Sequence, residues 1–183
     1  SALGDPSPMS LGFGPMGRVY LLDETPAAVT TGAVLAAVTP TGATTYTSLA
    51  AASAAAGTTS VIRSDGTTVL QLDYPRAVSL TVGSGSPTAS NVTISGYDYY
   101  GQAMSEIIQT GTTQSTVVNG RKAFFQISSV AFSAATTVAV SVDTTKIMGL
   151  PAKVTDPAYV MTAKFSGGTI DNTSGVVAGL GGG

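Results

Sequence analysis

From residue 58 onward the chain is beaded: short runs rich in Val, Ile and Thr alternate with breaks of Gly, Pro, Asp, Asn and Ser. The clearest bead pair is NVTISGYDYYGQAMSEIIQ, residues 91–109. Val92 and Ile94 alternate with Thr93 and Ser95, the period-2 signal of a half-buried strand. Residues 96–101 then carry turn chemistry: Asp98 can accept hydrogen bonds from its own backbone, and Gly96 and Gly101 are free to take positive φ. A second strand over 103–109 completes a hairpin. A chain built from such units must pair its strands antiparallel.

The same reading predicts strands over 60–63, 67–72, 77–82, 91–95, 103–109, 121–132, 138–142 and 159–165. Breaks are expected at Ser64-Asp65-Gly66, Tyr74-Pro75, 83–87, Asn119-Gly120 and 133–135. Asp65-Gly66 and Asn119-Gly120 are the strongest short turn signals. Many short strands with no amphipathic helices between them indicate an all-β chain, an antiparallel β-sandwich of jelly-roll or Ig-like type. A parallel α/β fold needs helices this sequence lacks.

The sandwich domain is assigned to 18–165. Residues 1–17 (SALGDPSPMSLGFGPMG) have no periodicity but carry Leu3, Met9, Leu11, Phe13 and Met16, so they read as an extended arm laid on a neighbour. Residues 17–22 read as a first strand. The Ala/Thr-rich stretch 27–57 reads as mostly loop with a short helix, the Ala run over 48–56 having helical propensity; two weak strands, over 29–38 and 44–49, are the alternative. Residues 166–183 form a Gly-rich C-terminal tail.

Composition closes several functional classes. Charged residues are only 10% of the 183, with a net charge of -2. Arg121-Lys122 is the single adjacent basic pair, too little to neutralise a run of phosphates, so no nucleic-acid partner is expected. No apolar run approaches the ~20 residues that span a bilayer, so no membrane partner is expected either. The chain contains no Cys and no His. That removes disulfides, thiolate metal sites and the commonest general base, and leaves the redox compartment open. The first residues lack the basic and apolar regions of a secretory signal, which suggests synthesis in the cytoplasm without signal-directed export. Such low charge fits a Thr/Ser-rich solvated surface, a surface covered by neighbouring subunits, or both.

No catalytic, cofactor-binding or metal-ligating residue is assigned. Asp98 as a calcium ligand lacks the further acids that six to eight oxygens require, and reads as the cap of its own turn. Gly12, Gly14 and Gly17 imitate a phosphate loop without the strand and helix that flank one. Serines have no His to activate them, and no motif places Lys122, Lys146, Lys153 or Lys164 beside one. A Lys–Asn isopeptide bond using Asn91, Asn119 or Asn172 has little support, because two of these lie at turns. Candidate interface residues are Leu11, Phe13, Arg18, Tyr20, Tyr74, Arg76, Tyr97, Tyr99 and Tyr100: Tyr offers rigid amphipathic area, and Arg beside an aromatic is favoured at interfaces.

A resemblance rests on several runs together: LDYPRAV at 72–78, VTISGYD at 92–98, YGQAMSE at 100–106, KAF at 122–124, ISSV at 127–130 and MGLP at 148–151, with GRVYLLDE at 17–24. With these the chain resembles the capsid decoration, or cement, proteins of tailed bacteriophages. The resemblance implies a jelly-roll or Ig-like domain, usually trimeric, that clamps major capsid protein subunits from outside the shell. It implies a virion structural protein with itself and the major capsid protein as partners, and no catalytic residues. A phage tail, head-fibre or carbohydrate-binding β-sandwich module is the alternative, with Tyr97, Tyr99 and Tyr100 stacking on sugar.

Overall fold

The computed structural model describes residues 24–49 and 57–149, together with the backbone of 164–165 and 169–170. The arm, Leu11, Phe13, Arg18, Tyr20, the strand expected at 17–22, the Ala run over 50–56 and most of the tail lie outside the described residues.

Among the described residues the chain is all-β, without a helix. Eleven strands follow in order: β1 (Leu35–Val38), β2 (Thr44–Tyr46), β3 (Thr58–Ile62), β4 (Thr68–Val82), β5 (Asn91–Tyr97), β6 (Ala103–Gln109), β7 (Val117–Asn119), β8 (Phe124–Phe132), β9 (Val140–Met148), β10 (Lys164–Phe165) and β11 (Thr169–Ile170). The first nine form one antiparallel sheet whose main path runs β1-β9-β4-β8-β5-β6; β2 joins at β8, and β3 and β7 join at β4. The last two pair with each other.

Where local chemistry decides, the sequence reading stands. β5 and β6 pair residue for residue from Asn91↔Gln109 to Tyr97↔Ala103. Asp65-Gly66 closes the β3–β4 hairpin: Gly66 has φ +83, its N–H donates to the Arg63 carbonyl at 2.9 Å, and Thr67 N–H donates to Asp65 Oδ1 at 2.8 Å. Hydrogen bonds from Thr67 hold the Asp65 carboxyl below the usual carboxylate range.

Elsewhere the fold corrects that reading. The break expected at Tyr74-Pro75 is absent, and β4 runs unbroken for 15 residues. Pro75 is tolerated because the ladder is irregular there: register shifts between Gln71 and Arg76 on the β8 side and between Arg76 and Val78 on the β9 side. The Pro75 carbonyl still accepts the Gly149 N–H at 2.8 Å. Asn119-Gly120 is not a hairpin turn: β7 pairs with β4 rather than β8, and β8 begins at Phe124 rather than at 121. β9 reaches Met148 instead of stopping at 142, because its polar residues are covered; Ser141, Asp143, Thr144 and Thr145 are buried. Residues 27–49 are mostly irregular and hold two short strands, β1 and β2; the helix expected on the Ala run falls outside the described residues.

β4 and β8 each change partners along their length. The first part of β4 lies between β3 and β8, and its last part lies between β9 and β7. The start of β8 pairs β4 and its end pairs β2, with β5 along its other edge. One apolar core results, drawn from Val78 and Leu80, Val92 and Ile94, Phe124, Ile127 and Val130, and Val140 and Val142. Each such fully buried side chain contributes about 1.5–3 kcal/mol.

Candidate functional site

Sparse charge raises the question of what the acids do. Asp65, Asp73, Asp98, Glu106 and Asp143 each accept at least one backbone N–H. Asp65 and Asp98 cap their own turns, whereas Asp73, Glu106 and Asp143 staple strands to distant connections.

Asp73 and Arg76 clasp the 24–30 segment onto β4. In a regular strand residues three apart face opposite ways; the irregularity around Pro75 brings these two to one side. Arg76 Nη2 meets Asp73 Oδ2 at 2.7 Å, with the Arg76 side chain 2% exposed and that of Asp73 25%. Ala27 is held at both ends: its N–H donates to Asp73 Oδ2 at 2.6 Å, and its carbonyl accepts Arg76 Nη1 at 3.1 Å. Asp143, in β9, accepts the Gly32 N–H, the Thr81 hydroxyl and the Ser141 hydroxyl at 2.8 Å. Glu106 reaches from β6 to the segment before β8, taking the Arg121 N–H at 2.7 Å and the Lys122 N–H at 3.1 Å. Sequence reasoning missed Asp143 and Glu106; only alternation of polar with apolar residues marked either.

Two interface candidates therefore change character. Arg76 and Tyr74 are buried within the chain, inside the fold and not on its open surface. The register shifts that keep β4 running through Pro75 are what turn Arg76 onto Asp73. The Tyr74 hydroxyl is buried without a hydrogen-bond partner among the described residues. Burial pushes its phenol above the usual value, with Glu24 and Tyr99 adding to the shift. Tyr74→Phe is expected to leave stability unchanged or raise it by up to about 1 kcal/mol, since an unsatisfied buried hydroxyl is removed. A phenol pKa raised in the fold means the unfolded chain loses that proton first, so the parent loses stability as pH climbs above about 10. Thermal melts of the two proteins from pH 8 to 11 should diverge only at the alkaline end.

Of the remaining interface candidates within the described residues, Tyr99 and Tyr100 are exposed and Tyr97 is half-buried. Asp98 caps its own turn, as the sequence implied: its Oδ1 accepts Tyr100 N–H at 2.9 Å and Gln102 N–H at 2.8 Å. The Gly101 N–H donates to the Asp98 carbonyl at 3.1 Å, with Gly101 at φ +80. On this fixed turn Tyr99 is 53% and Tyr100 68% exposed. Their rings meet edge-on at 5.6 Å, and Tyr99 leans on Phe125 at 5.3 Å. Tyr97 lies one strand-end away, half-buried, with the Arg63 guanidinium 3.5 Å above its ring. Gln126 accepts from Arg63 and donates to Gln71 Oε1 at 2.9 Å.

Beside this cluster an open groove of about 710 Å³ runs along the β5–β6 hairpin, bordered by Tyr97, Asp98, Gln102, Met104, Ser105 and Lys122 among others. Among the described residues no three acids gather as a metal site would require. No protein-family model, curated protein or solved structure matches the chain.

Proposed function

We propose that this chain is a non-enzymatic virion structural protein of a tailed bacteriophage, a capsid decoration protein that binds the outer face of the major capsid lattice as a homotrimer. The observation that carries the reading is the aromatic cluster of Tyr99, Tyr100 and Phe125. It stands on a turn whose backbone Asp98 pins at two N–H groups. Exposed, rigid Tyr side chains are what protein interfaces use as anchors, because they offer large contact area at low entropic cost. Ile62 and Ile107 are further exposed apolar side chains. The use of carboxylates as backbone staples suits a mechanical part, which gains from strands tied to their connections.

The finer architecture belongs to the same proposal. With β4 and β8 each shared between two sets of partners, β3-β4-β8-β5-β6 and β1-β9-β4-β7 are two layers of an antiparallel sandwich folded over one core. A trimer of such domains multiplies weak single contacts, adding 10²–10⁴ over one site by avidity.

Light scattering, followed by co-sedimentation with empty phage shells, tests this. A trimer that pellets with shells is expected; a monomer that stays in the supernatant overturns the reading. Replacing Tyr99 and Tyr100 together with Ala is expected to shift the oligomer toward monomer and weaken shell binding about thirtyfold, the loss of one hot spot of ~2 kcal/mol. The melting temperature should stay within a few degrees of the parent, as both rings are exposed.

A further inference from the structure

The groove along the β5–β6 hairpin has a chemistry the capsid contact does not call for. We infer that it binds a neutral oligosaccharide. In the ladder Ser105 lies opposite Ser95, and these two, with Ser128 of β8, put a row of small hydroxyls from three strands on the groove. Residues directly opposite in a ladder share a face, and Val92, Ile94 and Ile108 are buried in the core. Tyr97 borders the row, its ring held in place by Arg63. Asp98 uses Oδ1 for its turn, which leaves Oδ2 as an acceptor at the groove's border. Gln102 adds an amide and Lys122 an ammonium.

These groups select a ligand class. The carboxylate of Asp98 and the ammonium of Lys122 cancel, so neither an anion nor a cation gains net attraction. Hydroxyls, an amide and one charge of each sign match a ligand that donates and accepts in equal measure at every ring. An aromatic ring at the border suits the apolar C–H face of a pyranose. The groove is open rather than enclosed, which fits an extended chain better than a compact small molecule, whose sites bury most of its surface. An apolar peptide would leave the serine row unpaired.

The experiment applies the full chain to immobilised neutral oligosaccharides built on glucose, mannose, galactose and N-acetylglucosamine, with sialylated and sulfated sets alongside. Titration calorimetry then follows with the best neutral sugar. Binding confined to the neutral sets is expected. Asp98→Asn keeps the Oδ1 cap but turns the remaining acceptor into a donor, and is expected to weaken sugar binding at least tenfold with the melting temperature unchanged. Ser105→Phe, on the exposed edge strand, is expected to abolish binding by filling the groove. Absence of binding to every set, preference for the acidic sets, or affinity indifferent to both variants would each overturn the inference. If the two variants instead release the protein from shells while no sugar binds, the groove belongs to the capsid contact, and the decoration reading survives without this one.

Discussion

Gly96→Ala is expected to lower stability by about 3 kcal/mol or more and to drop the melting temperature by roughly 10 °C. A Cβ built at Gly96 would stand 2.0 Å from the carbonyl oxygen of Gln126 and 2.9 Å from the Cα of Ile127. Both atoms are backbone, in the strand that pairs with β5, so neither can swing aside as a side-chain tip could. The approach is this close because the β5–β8 ladder shifts register between Ser95 and Gly96, and a bulge brings one backbone onto the other. Relief requires parting β5 from β8, which opens the core around Ile94 and Ile127. Gly101→Ala is the matched comparison. Gly101 has φ +80 but nothing within 4 Å of a Cβ, so its cost is the left-handed backbone alone, about 1–2 kcal/mol. Urea unfolding of both variants measures the pair. Equal losses at the two glycines would disprove the close backbone contact.

The second large effect concerns Asp73. Asp73→Ala is expected to cost about 3–5 kcal/mol, because it strands a guanidinium that is 2% exposed and removes the acceptor for the Ala27 and Tyr74 N–H groups. The Arg76 Nε is already buried without a partner, so the side chain has little left to hold its charge. Adding Arg76→Met removes the stranded charge while keeping volume and an apolar contact. The double variant is expected to recover at least half of the loss, a coupling that a double-mutant cycle reads directly. An additive cycle, with the double variant as unstable as the two single losses together, would mean the pair contributes nothing as a pair.

These variants also mark how far local reading reached. Gly96 and Gly101 are indistinguishable in the string GYDYYG, and both read as turn residues. The structure places Gly96 within β5 and leaves Gly101 in the turn. Tyr74-Pro75 read as a break because Pro cannot donate to a ladder, but the tertiary register supplied an irregular position where no donor was needed. Arg76 read as an interface candidate because Arg beside an aromatic is favoured there, and its partner three residues away is invisible to strand periodicity. Of the interface candidates within the described residues, Tyr97, Tyr99 and Tyr100 are brought together near one end of the β5–β6 hairpin, while Tyr74 and Arg76 are enclosed.

By itself the sequence determined that this chain is antiparallel β, that residues 91–109 form a hairpin, that Asp65-Gly66 closes another, and that Asp98 caps its own turn. Those outcomes depend on residues within a few positions of one another, where side-chain alternation and turn propensity act. Only the tertiary structure decided that β4 runs through its proline, that Asp143 and Glu106 tie distant backbone groups, and that one glycine of a pair touches a neighbouring strand. Each of these depends on contacts between positions far apart in the chain. Their energies come from burial and close approach, and no local pattern of residues encodes which distant backbone will arrive.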